Sequence, residues 1–202
     1  MIRPFGEAAL LVELGSPERA QALAASLRGD PPDGMVEAVP GLASLLVELD
    51  PLRADADRLS SLIERHLQAL QPLPPTGRLH TIPVTYDGTD LAEVAALTGL
   101  TPSDVVARHA STELRVLCCG FAPGFAYLGD LPPELQVQRL ATPRVRTPAG
   151  SVAIAGSMSG IYPADLPGGW RVIGRTEVAL FDPKTDPPAL LVPGDRVRFE
   201  AA

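Results

Sequence analysis

Residues 120–174 concentrate the residue types best suited to binding a ligand. This segment holds 16 of the chain's 40 glycine and proline residues and five of its nine aromatic residues. Glycine lets backbone amides approach a ligand, proline fixes a loop before binding, and arginine offers a planar fork to carboxylate or phosphate. Together these types predict a rigid site for a small anionic ligand. Turn residues and surface charges of a β-rich domain are the alternative interpretation. The aromatic residues are Phe121, Phe125, Tyr127, Tyr162 and Trp170, and the arginines are Arg139, Arg144, Arg146 and Arg171.

The elements that must position this segment lie in the second part of the chain, after a proline-rich break. The break reads Gln71-Pro72-Leu73-Pro74-Pro75-Thr76-Gly77 and cannot continue a helix. We expect a strand at 79–86 and short helices at 90–98 and 101–109, the second opened by a threonine cap. Many short strands separated by glycine and proline then predict a barrel or sandwich. The apolar runs behind this prediction lie at 116–119, 152–155, 171–173, 178–181, 190–192 and 197–199.

The residues before the break predict a small α/β unit. Apolar runs indicate strands at 8–14, 35–39 and 44–49. Ser16 as N-cap and Pro17 at the first helical position predict a helix at 16–29, and an amphipathic pattern predicts another at 55–70. This element order is typical of a split βαβ, ferredoxin-like layer.

Charge and local patterns exclude several classes of protein. The formal net charge of −7 argues against a nucleic-acid partner held by phosphate attraction. The chain shows neither a secretory leader nor an apolar run of about 18 residues, so we expect a cytoplasmic protein with no membrane partner. Cys118 and Cys119 are adjacent, which predicts reduced, buried thiols and no zinc site. Lys184 is the only lysine and no Walker A glycines precede it, so any ATP site would lack a P-loop.

Long motifs in the second part resemble the family of 5-oxoprolinase B subunits, also described as KipI-type, allophanate hydrolase subunit 1, or carboxyltransferase subdomain C/D. The most specific stretch reads Gly120-Phe121-Ala122-Pro123-Gly124-Phe125-Ala126-Tyr127-Leu128-Gly129 and is similar to the family's G-F-x-P-G-F-x-Y-L-G. The likeness continues through Thr142-Pro143-Arg144, Thr147-Pro148-Ala149-Gly150-Ser151 and Pro167-Gly168-Gly169-Trp170-Arg171, and through Gly6-Glu7 near the start.

The resemblance implies an α+β fold, with a ferredoxin-like α/β domain at 1–76 and a cyclophilin-like β-barrel at 77–202. It also implies one component of a complex that uses ATP, with Mg²⁺ as its expected companion, to open 5-oxo-L-proline to L-glutamate. The expected partners are a C subunit of KipA type, also described as allophanate hydrolase subunit 2, and an A subunit of LamB/YcsF type. Two alternatives are a regulatory module that inhibits a sensor histidine kinase and one half of a urea carboxylase-type carboxyltransferase.

The motif matches also imply site residues, and each has a structural alternative. His109 and Glu113 match a family His-x-x-x-Glu and would form an acid/base or orienting pair, since histidine titrates near neutral pH and a carboxylate can fix its tautomer. A helix C-cap is the alternative for His109. Arg144 and Arg146 would bind phosphate or carboxylate, with surface salt bridges as the alternative. The expected catalytic residues are thus His109, Glu113, Arg144 and Arg146, and the expected substrate-binding residues are Phe121, Pro123, Gly124, Phe125, Tyr127, Ser151, Tyr162, Trp170 and Arg175; no metal ligand is expected.

One position departs from the family pattern. Met158 stands where relatives commonly carry glutamine before Ile-Tyr-Pro. A thioether makes only weak hydrogen bonds in place of an amide. If the amide contacts the substrate in relatives, the specificity of this chain differs from theirs.

Overall fold

A computed structural model describes residues 1–70 and 77–202. The chain divides into two compact units, Met1–Thr76 and Gly77–Ala202. The proline-rich break expected at 71–77 lies, apart from Gly77, outside the described residues. Within the described part, no helix is both long and apolar enough to cross a membrane.

The first unit is a four-stranded antiparallel sheet with two helices. The sheet order β1-β2-β4-β3 places β4 between β2 and β3, which is the predicted split βαβ arrangement. The edge strand β1 was not predicted, and it pairs antiparallel with β2. The elements are β1 (Ile2–Pro4), β2 (Ala9–Glu13), α1 (Pro17–Gly29), β3 (Met35–Pro40), β4 (Ser44–Leu49) and α2 (Ala56–Gln68).

Alternation along the strands builds the core of the first unit. Leu10 and Val12 of β2 are buried, and Leu45 and Val47 of β4 are buried beside them. Helix α1 starts where predicted, because the Ser16 side chain accepts a hydrogen bond from the backbone N–H of Arg19 at 3.3 Å. The helices add buried Ala20, Leu23, Ala24, Leu27, Leu59 and Ile63 to the same core.

The second unit is built around a seven-stranded sheet of order β12-β9-β10-β7-β6-β13-β5. Its elements are β5 (Leu79–Val84), α3 (Leu91–Thr98), α4 (Pro102–Ser111), β6 (Glu113–Cys119), β7 (Ala126–Gly129), a 3₁₀ turn (Pro133–Leu135), β8 (Arg144–Thr147), β9 (Ser151–Ala155), β10 (Met158–Ile161), β11 (Leu166–Gly168), β12 (Arg171–Arg175) and β13 (Arg196–Ala201). Strands β8 and β11 form a separate two-stranded ribbon.

The two edges of the seven-stranded sheet meet, so the sheet is nearly a closed barrel. Thr85, just after β5, and Arg175, at the end of β12, exchange two backbone hydrogen bonds of 2.9 Å each. Gly88 continues this contact: a Cβ on it would lie 2.3 Å from the Ile173 carbonyl carbon, so only glycine fits there. Closure removes exposed sheet edges, and the predicted barrel is confirmed.

Two of the predicted strands are absent and several others were missed. Residues 178–181 and 190–192 form no regular strand, although the Leu190 amide donates to the Leu180 carbonyl at 3.0 Å and Phe181 forms an isolated bridge with Ala189. Their apolar side chains Leu180 and Leu191 are nevertheless buried in the barrel core. The two apolar runs therefore correctly indicated buried residues but not strands. Strand formation depends on pairing partners that are remote in sequence.

Candidate functional site

All five predicted aromatic residues line one open cavity in the barrel unit, here called the aromatic cavity. Its volume is about 340 Å³. That places it among the smaller ligand pockets of proteins, which span about 300–1,000 Å³. The lining includes Phe121, Phe125, Tyr127, Tyr162 and Trp170, together with Gln138, Arg139, Met158, Gly168 and Gly169.

Phe125 is the centre of the aromatic cluster. Its ring meets the rings of Tyr127 at 5.0 Å, Tyr162 at 5.6 Å and Trp170 at 5.7 Å between centroids, all edge to face. Phe121 adds a fourth edge-to-face contact at 5.3 Å. These geometries are the favoured ones for aromatic pairs, so the rings hold each other in place before any ligand arrives.

The turn before Phe125 explains the glycine and proline of the motif. Phe121 and Gly124 both have left-handed backbones, with φ of 73° and 82°. A Cβ on Gly124 would lie 2.8 Å from the Cβ of Phe181, so a larger residue is excluded on two grounds. Pro123 lies exposed in this turn. Pro123 and Gly124 therefore shape the turn and do not line the aromatic cavity, whereas Phe121 is held over it.

Glycines also make the space inside the cavity. A Cβ on Gly168 would lie 2.1 Å from the hydroxyl oxygen of Tyr162. A Cβ on Gly160 would lie 3.1 Å from both the Phe125 and Trp170 rings. The conformational freedom of glycine matters less here than its small size, which lets the aromatic side chains approach the strand backbone.

Arg139 brings the only guanidinium to the aromatic cavity. Its side chain is exposed and has no hydrogen-bond or ion-pair partner anywhere in residues 1–70 or 77–202. Burial raises the pKa of the Tyr127 and Tyr162 phenols, and the positive charge of Arg139 opposes that rise. Arg139 therefore lines the same cavity as both phenols. The sequence pointed to Arg139 as one of four arginines in the segment but did not single it out.

Four of the predicted site residues come together in a different cavity, here called the arginine cavity. It has a volume of about 400 Å³ and is lined by Arg144, Arg146, Ser151 and Arg175, among others. The Ser151 hydroxyl donates to the Pro148 carbonyl at 2.7 Å. Arg144 links the two cavities, because its Nη1 donates at 3.4 Å to the backbone carbonyl of Trp170, whose ring lines the aromatic cavity.

Each arginine of the arginine cavity already has a carboxylate partner. Arg144 lies 2.5 Å from Asp90, and Arg175 lies 2.9 Å from Asp87. Arg146 donates from two nitrogens to Asp165, whose pKa is lowered by the hydrogen bond from the Ala149 amide and then by Arg146. For Arg144 and Arg146 the sequence left two interpretations open, phosphate or carboxylate binding and surface salt bridges. In the structure both arginines form ion pairs.

Asp90 has the most buried carboxylate of these pairs, with the residue only 4% exposed. One oxygen accepts from Arg144 and the other accepts from the backbone N–H of Val172 at 2.7 Å. The backbone N–H of Asp90 in turn donates to the Val172 carbonyl at 2.9 Å. Asp90 thereby fixes the start of α3 and the guanidinium of Arg144 to strand β12.

The structure does not bring His109 and Glu113 together as an acid/base pair. His109 is fully buried, and its ring nitrogens lie 2.8 Å from the Tyr86 hydroxyl and 2.9 Å from the Ser159 hydroxyl. Burial lowers the pKa of His109 to about 3, so the imidazole is neutral. Glu113 instead accepts from Arg196 and Arg198 at 3.0 Å each. Neither residue lines the aromatic cavity or the arginine cavity.

Within the described ranges, no group of three or more histidine, cysteine, aspartate or glutamate side chains is placed to hold a metal ion. The two thiols are free, and burial raises the pKa of each to about 11. The aromatic cavity therefore provides an aromatic surface, two phenols, an indole and one unpaired guanidinium for binding a ligand.

Comparison with known proteins relates this architecture to carboxyltransferase domains. Residues 1–191 match the family model described as carboxyltransferase domain, subdomain C and D. The B subunit of 5-oxoprolinase from Escherichia coli O157:H7 is 44% identical over 205 residues, which cover 96% of this chain and 93% of that protein.

Solved structures share the fold. The crystal structure of TTHA0988 superimposes with a TM-score of 0.85 at 41% identity and covers 100% of this chain. This chain spans only 40% of that longer one. The Kluyveromyces lactis urea carboxylase gives a TM-score of 0.79 at 22% identity, over all of this chain and 21% of that one. At this identity the likeness concerns the fold alone.

Proposed function

The chain belongs to the carboxyltransferase subdomain C and D family that includes 5-oxoprolinase B subunits, and we propose that it is the B subunit of an ATP-dependent 5-oxoprolinase complex. In this role it acts with a C subunit of KipA type, and with an A subunit of LamB/YcsF type, to open 5-oxo-L-proline to L-glutamate. The motif resemblance found in the sequence is confirmed by the family match, and the reaction and partners are the proposal.

The aromatic cavity is the observation that carries this proposal. It is small, open and preorganised, and it combines aromatic faces with one unpaired cation and two phenol hydroxyls. Small-molecule sites in proteins are largely apolar, with a few placed polar groups. A five-membered lactam with one carboxylate matches that composition. The cavity residues bind the ring and exclude water from its faces.

The residues of this chain do not fit a phosphate clamp for ATP on their own. Arg144, Arg146 and Arg175 are each paired with an aspartate, so a nucleotide phosphate would have to displace Asp90, Asp165 or Asp87. Displacing Asp90 from Arg144 is the costly step, because it would leave a buried carboxylate unpaired, whereas Asp87 and Asp165 are half-exposed. We therefore assign the ATP-dependent step to the assembled complex and give the arginine cavity no role in that step.

Reconstitution tests the proposal. The chain is purified with its KipA-type and LamB/YcsF-type partners, and phosphate release from ATP is measured with and without 5-oxo-L-proline, together with L-glutamate formation. We expect phosphate release that depends on 5-oxoproline and matches glutamate formation. A complex that assembles but releases no phosphate in response to 5-oxoproline contradicts the proposal.

The family description favours one second candidate, a carboxyltransferase half that acts on a urea-like amide. The chain has no Met-Lys-Met biotin attachment motif, so a carrier would be another chain. The same reconstituted complex, supplied with a carboxylated biotin carrier and urea, distinguishes the two. Carboxyl transfer to urea in the absence of any response to 5-oxoproline supports the second candidate.

A further inference from the structure

We infer that Arg139 is the carboxylate anchor of the aromatic cavity, and that it restricts the cavity to small ring compounds that carry a carboxylate. This inference rests on the proposed function, because it names the group that recognises the acid of 5-oxoproline. Arg139 lies outside the motifs that carry the family resemblance, three residues before Thr142.

Arg139 differs from its neighbours by being unpaired. The three arginines of the arginine cavity each have an aspartate partner, and Arg171 lies 2.7 Å from Glu93. Arg139 has no such partner in the described parts of the chain, although it lines a cavity. An unpaired guanidinium keeps its donors available for a planar carboxylate, which it binds through two parallel hydrogen bonds.

The rest of the lining leaves Arg139 as the sole charged recognition group. The other lining residues are aromatic, small, apolar or neutral polar, and none carries a carboxylate that would compete for the guanidinium. Rings held edge to face around Phe125 present flat apolar surfaces to a ligand ring. The aromatic side chains therefore contact the ring of the ligand, and Arg139 binds its carboxylate.

The volume limits the class of ligand. A cavity of about 340 Å³ is near the lower bound for ligand pockets, and it suits a compound the size of a substituted five-membered ring. A nucleotide with its charged phosphates would bring several negative charges to one guanidinium. The small volume and the single guanidinium together favour a small monocarboxylic acid over a nucleotide.

The sole tryptophan provides a direct measurement, because Trp170 lines the cavity. Trp170 fluorescence of the purified chain is titrated with 5-oxo-L-proline, with its neutral carboxamide and with inorganic phosphate. We expect the acid to bind about tenfold or more tightly than the carboxamide, because a charge-assisted hydrogen bond is lost with the amide. Inorganic phosphate should compete weakly, since it gains nothing from the rings.

Two variants locate the effect. In Arg139→Ala the preference for the acid over the carboxamide should disappear, while carboxamide binding stays within about twofold. Arg139→Lys keeps the charge without the planar fork and should retain part of the preference. Arg78→Ala is the matched control, since Arg78 is an exposed arginine of the same unit that lines none of the described cavities. It should behave as the wild type.

The same variants in the reconstituted complex separate this inference from the proposed function. We expect Arg139→Ala to raise the KM for 5-oxoproline about tenfold or more, with a smaller change in kcat. An unchanged KM, with normal turnover, overturns the anchor and leaves the proposed function standing. A complex without turnover, in which the chain still binds the acid through Arg139, overturns the proposed function and supports the anchor. Equal binding of acid and carboxamide by wild type and Arg139→Ala, with no turnover, overturns both.

Discussion

The Nε2 atom of His109 lies 2.9 Å from the hydroxyl oxygen of Ser159, inside the barrel. The Ser159 hydroxyl also lies 3.3 Å from the Ala153 carbonyl; with the hydroxyl proton donated to that carbonyl, the Ser159 oxygen accepts from Nε2 of His109. The Nδ1 atom of His109 then accepts from the Tyr86 hydroxyl at 2.8 Å. In this arrangement the neutral imidazole carries its proton on Nε2. The chain of hydrogen bonds joins α4 to strands β9 and β10.

This buried histidine predicts a specific loss of stability in acid. Burial lowers the His109 pKa from 6.5 to about 3, so the unfolded chain binds a proton at pH values where the folded protein does not. His109 therefore contributes a stability that is complete above pH 6.5 and declines as the pH falls toward 3, with a slope of up to about 1.4 kcal/mol per pH unit. Urea unfolding between these pH values, followed by Trp170 fluorescence, measures that slope.

The His109→Gln variant isolates the contribution of the imidazole. Glutamine offers an amide donor and acceptor but does not titrate, so the variant is less stable at neutral pH and loses less on acidification. The difference in unfolding free energy between wild type and variant should narrow as the pH falls. A difference that stays constant across this range shows that His109 is not the titrating group.

Two adjacent glycines have different roles in the aromatic cavity. A Cβ on Gly168 would lie 2.1 Å from the Tyr162 hydroxyl, and Tyr162 is buried and cannot move aside freely. Gly168→Ala should therefore destabilise the barrel unit by about 1–3 kcal/mol and weaken ligand binding in the aromatic cavity. Thermal unfolding and Trp170 fluorescence titration measure the two effects.

Gly169→Ala is the neighbouring control. The three atoms nearest to a Cβ there all belong to Pro143, at 3.6 Å, which is ordinary contact, and neither glycine has a left-handed backbone. It should remain within about 0.5 kcal/mol of the wild type. If both substitutions lower the stability equally, any added side chain at the end of β11 is unfavourable, and the Tyr162 contact is not the cause.

Local signals were sufficient to predict the helices. The predicted capping box of α4 is present: the Thr101 side chain accepts from the Asp104 amide at 3.1 Å, and the Asp104 carboxylate accepts from the Thr101 amide at 3.1 Å. These contacts span three residues, so the sequence contains all that is needed to foresee them. Strands β7 and β10 were missed, because four-residue segments acquire strand structure only by pairing within the barrel.

The residues that form the site could be predicted from the sequence, but their division between two cavities could not. The clustering of aromatic residues in 120–174 correctly indicated a shared location for Phe125, Tyr162 and Trp170. The division into two cavities could not be foreseen, because it depends on pairs such as Asp90 with Arg144, which lie 54 residues apart. Whether an arginine is free or paired is decided by such remote contacts, and for this reason Arg139 was not singled out.

The adjacent thiols should be unreactive in the folded protein. Burial raises the pKa of Cys118 and Cys119 from 9.0 to about 11, and the Cys119 thiol lies 3.5 Å from the Leu191 carbonyl. A shift of this size lowers the thiolate fraction near pH 8 by about 100-fold. Reaction with a thiol reagent should therefore be at least that much slower in native protein than in denatured protein. Rapid labelling of the native chain contradicts the buried placement.

The pair of Asp90 and Arg144 should contribute far more to stability than an exposed pair of similar length. Asp90→Ala leaves Nη2 of Arg144 and the Val172 amide without their acceptor, and it should cost about 3–5 kcal/mol. Asp90→Asn keeps one acceptor oxygen and should cost less.

Glu134→Ala is the control, because Glu134 and Arg108 form a 2.7 Å pair in which each side chain is 45% exposed. Its removal should cost under about 1 kcal/mol. Urea unfolding of the three variants, followed by Trp170 fluorescence, ranks them, and a loss for Glu134→Ala as large as that for Asp90→Ala would contradict burial as the source of the difference.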